Sequence, residues 1–277
     1  MVSQQTPSPW QRFWEHGGWW RALLLTAAYF VLYQAGSLLF LPFADSVGGP
    51  DSALYILVII GLPILLGGLI LVAFALSVGW LRELFRRQPI RGRGWMWAAV
   101  AVVLVFNILR LATVDYGTAG FDVAAAWLLT GLFIGFAEEV LTRGLVVNLL
   151  RRAGHREIIV AVGSAALFAA MHAGNLLTGQ SLFATAFQLV YTFAFGICMY
   201  LTLRVTGNLV WPILLHASTD ASLFLQTAHP ADTAMAGVAS MGNIPVIILG
   251  IIFLFFIRGR VEAPAFSGGL NGGKVLS

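Results

Sequence analysis

Charged residues are scarce in this chain of 277 residues: they make up 10% of it, and its mean hydropathy is +0.86. A soluble globular domain carries about 25% charged residues, because its surface has to be covered by them. The chain is therefore predicted to be an integral membrane protein. Lysine is almost absent, since Lys274 is the one lysine among sixteen cations. This preference for arginine favours a bacterial source with a GC-rich genome.

Cysteine occurs once, as Cys198 in an apolar run, which excludes a disulfide framework and a cysteine metal site. No basic run is interleaved with exposed aromatic residues, so we expect no nucleic-acid partner. The two halves of the sequence also lack a matching pair of helices broken by Gly or Pro, which counts against a secondary transporter. The composition gives no indication of an oligomeric state.

Eight apolar runs have about the length of a membrane helix, for which about 20 residues are needed. They cover residues 22–41, 54–78, 95–112, 123–150, 158–173, 182–203, 209–225 and 244–257. The fifth and eighth runs are short for a full span. The sequence thus predicts an all-α fold, a bundle of eight transmembrane helices at 22–260, preceded by a cytoplasmic segment at 1–21. A Gly-rich, flexible tail is predicted at 261–277.

Basic residues alternate between the loops in a way that predicts the orientation, because Lys and Arg concentrate on the cytoplasmic side of a membrane protein. Fourteen cations fall on alternate loops, and the intervening loops contain none. Both termini are therefore predicted to be cytoplasmic, in a bacterial cytoplasmic membrane. These fourteen are Arg12, Arg21, Arg82, Arg86, Arg87, Arg91, Arg93, Arg151, Arg152, Arg156, Arg204, Arg258, Arg260 and Lys274. Of the two others, Arg110 is interpreted as pointing outward from a helix end, and Arg143 lies within a run.

Ionisable residues inside the apolar runs are costly, by about 2.5–3.5 kcal/mol each on insertion scales, and each is a candidate functional residue. The candidates are Glu138, Glu139, Arg143, His172, His216 and Asp220. Glu139 and Arg143 are four residues apart with the acid first, which is the favourable order for an ion pair on a helix. We interpret this pair as structural, which leaves Glu138 available.

A carboxylate and two histidines on three different helices are suited to activating water, with Glu138 as the general base. His216 and Asp220, also four residues apart, project from one face of the seventh run. Measured along ideal helices from their inner ends, Glu138, His172 and His216 differ in depth by about 10 Å. Their convergence therefore requires tilted helices or shifted boundaries. Water has to reach them, so we expect a polar cavity between the fourth, fifth and seventh runs.

Three ordered motifs carry a family resemblance. They are Glu138-Glu139-x-x-x-Arg143, Phe168-x-x-x-His172 and His216-x-x-x-Asp220, the last preceded by Gly207-Asn208-Leu209-x-Trp211-Pro212. Together they closely resemble the CPBP group of intramembrane proteases, also called the CAAX-protease and bacteriocin-processing, or Abi, family. The resemblance covers about residues 131–225, within a protease core placed at about 123–226.

The resemblance implies an eight-helix bundle and a glutamate-type endopeptidase that acts on a membrane-associated protein or peptide without a cofactor. It assigns water activation to Glu138 and His172, and stabilisation of the oxyanion to His216 and residue 220. Many members have Asn at that last position, whereas this chain has Asp220. An ionised Asp cannot donate a hydrogen bond, so Asp220 is either protonated or serves to orient His216.

Two alternatives stay open at the level of the sequence. The first is a zinc protease in which Glu138, His172 and His216 are the metal ligands and water fills the fourth position. No His-Glu-x-x-His helix supports it. The second is a membrane protein without enzymatic activity, either a scaffold or immunity factor or a small transporter that uses the same buried charges as a proton relay.

Overall fold

The computed structural model describes residues 6–261, and within this range the chain forms helices and loops with no β-strand beyond two isolated bridges. The eight long helical segments are α1 (Trp19–Ser37), α2 (Ala53–Ser77), α3 (Gly94–Ala112), α4 (Phe121–Arg152), α5 (Glu157–Thr178), α6 (Leu182–Thr206), α7 (Val210–Ala228) and α8 (Ala234–Leu254). Short helices lie at Pro9–Glu15, Leu41–Ser46, Leu81–Leu84 and Tyr116–Ala119. The predicted all-α class is confirmed. Residues 262–277, which include nearly all of the predicted tail, lie outside the described range.

Six of these segments, α2 to α6 and α8, are long and apolar enough to cross a membrane. The other two, α1 and α7, are helices of 19 residues each, but polar residues such as Gln34 in α1 and His216 and Asp220 in α7 interrupt their apolar character. The eight long segments follow the eight predicted runs in order. The two runs that are short in the sequence become segments of 22 residues in α5 and 21 residues in α8.

The arginine-containing loops meet at one end of the bundle, which we call the arginine-rich end. There Arg152 pairs with Glu15 of the N-terminal segment and with Glu83 of the loop after α2. Arg204, at the end of α6, donates a hydrogen bond of 3.1 Å to the carbonyl of Arg91. The loops that the charge pattern places on one side of the membrane are therefore neighbours in space.

The loops without Lys or Arg lie at the opposite end, which we call the acidic end. The segment after α3 contacts the segment after α7 here, through a bridge between Val114 and Pro230 and a 2.8 Å hydrogen bond from the Asp115 amide to the His229 carbonyl. Ser181 caps the start of α6 at this end by accepting from the Ala184 amide. These contacts place the two ends of α3, and likewise of α6, at opposite ends of the bundle.

One large apolar core occupies the bundle towards the arginine-rich end, where the last turns of α4 are surrounded on all sides. Leu141, Leu145, Leu149 and Leu150 of α4 are completely buried in it. A helix that is apolar all round is typical of such a central position. Because α4 is tightly packed along this length, the position of Glu138 and Glu139, within one turn of Leu141, is fixed.

Candidate active site

Two glycines bring α4 against α7. A Cβ atom on Gly131 would lie 2.6 Å from the carbonyl oxygen of Ala217, and one on Gly135 would lie 2.6 Å from the carbonyl oxygen of Ile213. Both distances are too short for any side chain. Gly131 and Gly135 are four residues apart, the small-xxx-small spacing that lets membrane helices approach closely. This contact places the carboxylates that follow on α4 beside His216 of α7.

Glu139 is the centre of a buried charged chain. Its Oε1 accepts a hydrogen bond of 2.8 Å from Nη1 of Arg143, and it lies 2.7 Å from Nδ1 of His216. The side chains of Glu139 and Arg143 have no exposed surface, and that of His216 is 3% exposed. A carboxylate that is paired with Arg143 only accepts hydrogen bonds, so Nδ1–H of His216 is the donor in this contact. The ion pair expected from the spacing is present, and it also holds the histidine.

Glu138 is turned away from Arg143 and towards open space. Its side chain is 24% exposed, and its Oε2 lies 3.5 Å from Nε2 of His216. It is also within electrostatic reach of His172. Arg143 forms a salt bridge with Glu139, and the described residues include none between Arg143 and Glu138. The two adjacent glutamates therefore have different surroundings, one enclosed and neutralised and the other facing a cavity.

His172 lies at the end of the α-helical part of α5, where the chain tightens into a 3₁₀ turn. Its Nδ1 is 3.0 Å from the carbonyl oxygen of Phe168, one turn back. A carbonyl oxygen only accepts hydrogen bonds, so Nδ1 carries a proton. In the neutral ring, Nε2 then presents its lone pair to the cavity.

Asp220 follows His216 by one turn on α7, and its Oδ2 lies 3.4 Å from Nε2 of that histidine. Its side chain is 18% exposed. The buried guanidinium of Arg110 on α3 is within electrostatic reach of the same carboxylate. Asp220 therefore has one cationic and one potentially cationic group, Arg110 and His216, within electrostatic reach.

Aromatic rings pack against the two histidines. Phe168 packs edge-on against both His172 and His216, with ring centroids 4.9 and 5.6 Å apart, and Arg143 stacks over its face at 4.6 Å. Phe195 of α6 meets the ring of His216 edge-on at 4.9 Å. These contacts leave each imidazole little freedom to rotate, so the orientation of its nitrogen atoms is fixed by packing as well as by hydrogen bonds.

A single cavity of about 480 Å³ contains the candidate residues. Glu138, His172, His216 and Asp220 all line it, together with polar residues of α5 and α6 and tyrosines of α1 and α6. The cavity is thus bounded by the three helices expected from the sequence and by α1, α2, α6 and α8 as well. Among residues 6–261, no three His, Cys, Asp or Glu side chains are arranged to hold a metal ion.

Comparison with known families adds an independent finding. Residues 120–222 match the family described as type II CAAX prenyl endopeptidase Rce1-like. The matched range contains all three motifs. This segment belongs to the CPBP, or CAAX-protease, family. No curated protein matches the chain.

The structure shows how Glu138, Glu139 and His216 reach the same depth in the bundle, which the sequence did not indicate. The difference of about 10 Å in depth that the sequence predicts for Glu138, His172 and His216 assumes that all helices begin at one level. In the structure, α4 continues 13 residues beyond Glu139 to Arg152, whereas α7 begins only six residues before His216. At 1.5 Å per residue, α4 therefore reaches about 10 Å further towards the arginine-rich end. The glutamates and His216 meet because these helix ends are staggered.

Arg110 is the clearest correction. The sequence interpretation placed it at a helix end, pointing outward, but it is 2% exposed and donates a 2.8 Å hydrogen bond to the side chain of Asn243 on α8. Asn243 lies 133 positions away in the chain, so no local pattern indicates the partner. Sequence reasoning also missed the spacing of Gly131 and Gly135, although that signal is visible in the sequence.

Proposed function

We propose that this protein is an intramembrane endopeptidase that hydrolyses a peptide bond of a membrane-associated protein or peptide, with Glu138 as the general base. The observation that carries the proposal is the unequal surroundings of the two glutamates. Glu139 is enclosed with Arg143 and His216, whereas Glu138 lines the cavity beside His172 and His216. A general base that receives a proton from water has to face a space that water can enter, as Glu138 does.

The reaction follows from these positions. Glu138 takes a proton from water as the water oxygen bonds to the carbonyl carbon of the substrate. The negative charge that develops on the carbonyl oxygen requires a hydrogen-bond donor, and Nε2–H of a protonated His216 supplies it. Glu138 then returns its proton to the amide nitrogen as the carbon–nitrogen bond breaks. His172, whose Nε2 lone pair faces the cavity, orients the water and shares its proton.

Asp220 is assigned an orienting role in this scheme. Its carboxylate lies 3.4 Å from Nε2 of His216 and within electrostatic reach of Arg110. The ionised form therefore has favourable partners, and its negative charge stabilises and orients the protonated His216 whose Nε2–H the oxyanion requires. Of the two alternatives for Asp220, we therefore propose an ionised residue that orients His216 rather than a protonated residue that donates to the oxyanion.

The proposed setting is a bacterial cytoplasmic membrane, with eight spans and both termini in the cytoplasm. It rests on the fourteen cations of alternate loops, on the meeting of those loops at one end, and on the eight helical segments, of which six are long and apolar enough to span. The two less apolar segments, α1 and α7, are lined up with the others and supply residues of the cavity.

The test compares cells that produce the wild type, Glu138→Gln or Glu83→Gln. Glu83 is a matched control, because it is a half-exposed glutamate of the arginine-rich end, far from the cavity. New peptide N-termini in the membrane fraction should appear with the wild type and Glu83→Gln and be absent with Glu138→Gln. Equal profiles for all three, with every variant folded, would instead indicate a scaffold, an immunity factor or a transporter.

A further inference from the structure

The residues that line the cavity share one feature: they all belong to the middle of the bundle or to the half near the acidic end. The lining residues include Gln34, Ile60, Thr178, Phe187, Phe224 and Asn243. Each lies in the part of its helix nearer the acidic end. Thr178, Phe187 and Phe224 are exposed, whereas Glu139 and His216 below them are buried. The cavity therefore opens towards the acidic end.

Towards the arginine-rich end the same cavity is closed. Directly below Glu138 lie the buried Arg143 and the completely buried Leu141 and Leu145 of α4. A second cavity of about 300 Å³ lies on the other side of this layer, with Arg87 and Arg152 in its wall. Arg143 lines this second cavity and not the first. Within the described residues, the charged layer separates the two cavities.

The orientation of the chain decides which side of the membrane the mouth faces. Lys and Arg concentrate in cytoplasmic loops, and the structure gathers the loops that contain them at the end opposite the mouth. We infer that the active-site cavity opens on the extracytoplasmic side, and that the substrate is an uncharged segment within a protein exposed on that side. This inference rests on the proposed function for the cleavage itself and on the charge pattern for the side.

The residues that line the cavity support a substrate segment that is uncharged and lies away from the ends of its chain. The residues that line the cavity include no Lys or Arg but do include the acidic Glu138 and Asp220, so the wall offers no permanently charged cation for a free C-terminal carboxylate. Near the mouth, the side-chain amides of Asn175 and Gln180 both donate to Oε1 of Gln188, at 2.8 and 2.9 Å. Side-chain amides carry both donors and an acceptor, as the peptide backbone does, so they are suited to pairing with an extended peptide whatever its side chains.

Exposed apolar residues lie close to Thr178 at the acidic end. Leu177, Leu182 and Phe183 are 77%, 75% and 85% exposed. They lie at the turn between α5 and α6, beside the amide cluster. An apolar rim next to amide groups is suited to a segment that emerges from the outer leaflet of the bilayer. A lipid-modified C-terminus made in the cytoplasm would reach the other end of the bundle.

The side of the mouth is tested by labelling in intact cells with a thiol reagent that does not cross the membrane. The single cysteine, Cys198, is completely buried, so the wild type provides a low background. Thr178→Cys introduces an exposed thiol at the rim, and Arg87→Cys introduces an exposed thiol at the arginine-rich end. We expect Thr178→Cys to be labelled in intact cells and Arg87→Cys only after the cells are permeabilised. The reverse pattern would overturn the inference.

The substrate class is tested by locating the cleavage sites that depend on Glu138. They should lie within extracytoplasmic segments, away from the C-terminus of the substrate and free of charged residues. Sites in cytoplasmic segments, or close to a C-terminus, would overturn the inference even though hydrolysis itself was established. If no site depended on Glu138 while labelling followed the expected pattern, the proposed function would fail and the orientation of the cavity would stand.

Discussion

The replacement Glu139→Gln tests the enclosed side of the site, because it keeps the shape of the side chain and removes its charge. Glu139 and Arg143 have fully buried side chains, and one carboxylate oxygen serves both Arg143 and His216. Loss of the charge leaves Arg143 buried without an ionic partner. Breaking a buried ion pair from one side costs about 3–5 kcal/mol, and we expect a loss of that size in the free energy of unfolding.

The assay is equilibrium unfolding of the purified protein in detergent, with Glu138→Gln as the matched control. The carboxylate of Glu138 is 24% exposed and lies 3.5 Å from its histidine partner. Pairs of that kind contribute about 0–1 kcal/mol, so the control should unfold nearly as the wild type does. A cost below about 1 kcal/mol for Glu139→Gln, on the scale of an exposed pair, would refute the assignment of Glu139 as the enclosed partner.

A double variant separates stability from activity. Glu139→Gln combined with Arg143→Met removes both charges, so the penalty for an unpaired arginine disappears. The two changes should be non-additive, by about 0.5–3 kcal/mol in favour of the double variant. Activity should not return with stability, because His216 still lacks the charged acceptor that stabilises its protonated form. Additive costs would show that the two residues do not act as a pair.

Three further predictions concern the packing, the membrane topology and the metal. Gly135→Ala should lower the free energy of unfolding by about 1–3 kcal/mol and reduce hydrolysis, since its Cβ would meet the backbone of α7. The control Gly237→Ala has open space around its Cβ and should be tolerated. Equal effects of the two changes would refute the packing argument. Hydrolysis should survive chelators, and zinc-reversible inhibition would make Glu138, His172 and His216 metal ligands. Reporter fusions should alternate between the two sides, and two consecutive fusions on one side would contradict the topology; the fusion points are Asp45, Gly92, Tyr116, His155, Gly179, Asn208, Thr233 and Gly259.

The parts of the fold that depend on local patterns follow from the sequence. Apolar runs predict the long helices, because a helix is the means by which a segment in lipid satisfies its own backbone hydrogen bonds. The spacing of Glu139 and Arg143 predicts their contact, because residues four apart are neighbours on a helix. The alternation of cations in the loops predicts which loops meet at one end, because successive loops of a chain that crosses the membrane repeatedly fall on alternate sides.

Contacts between helices distant in the chain do not follow in the same way. The sequence indicates that His216 faces the bundle, but the register of α4 against α7 decides that its Nδ1 meets Glu139. That register depends on close approach at Gly131 and Gly135 and on the staggered ends of the two helices. Arg110 was misjudged for a related reason, because its position near a helix end suggests an exposed side chain and its buried partner comes from α8.

The central claim is that Glu138 activates water for hydrolysis of a peptide bond. Its most direct test is the cleavage rate of the purified Glu138→Gln variant on a substrate identified in the wild type, with unfolding measured on the same preparation. Removal of a general base typically lowers the rate by about 10²–10⁴-fold. We predict a loss of at least this size in a protein that unfolds like the wild type. A folded Glu138→Gln variant with near-normal turnover would contradict the account.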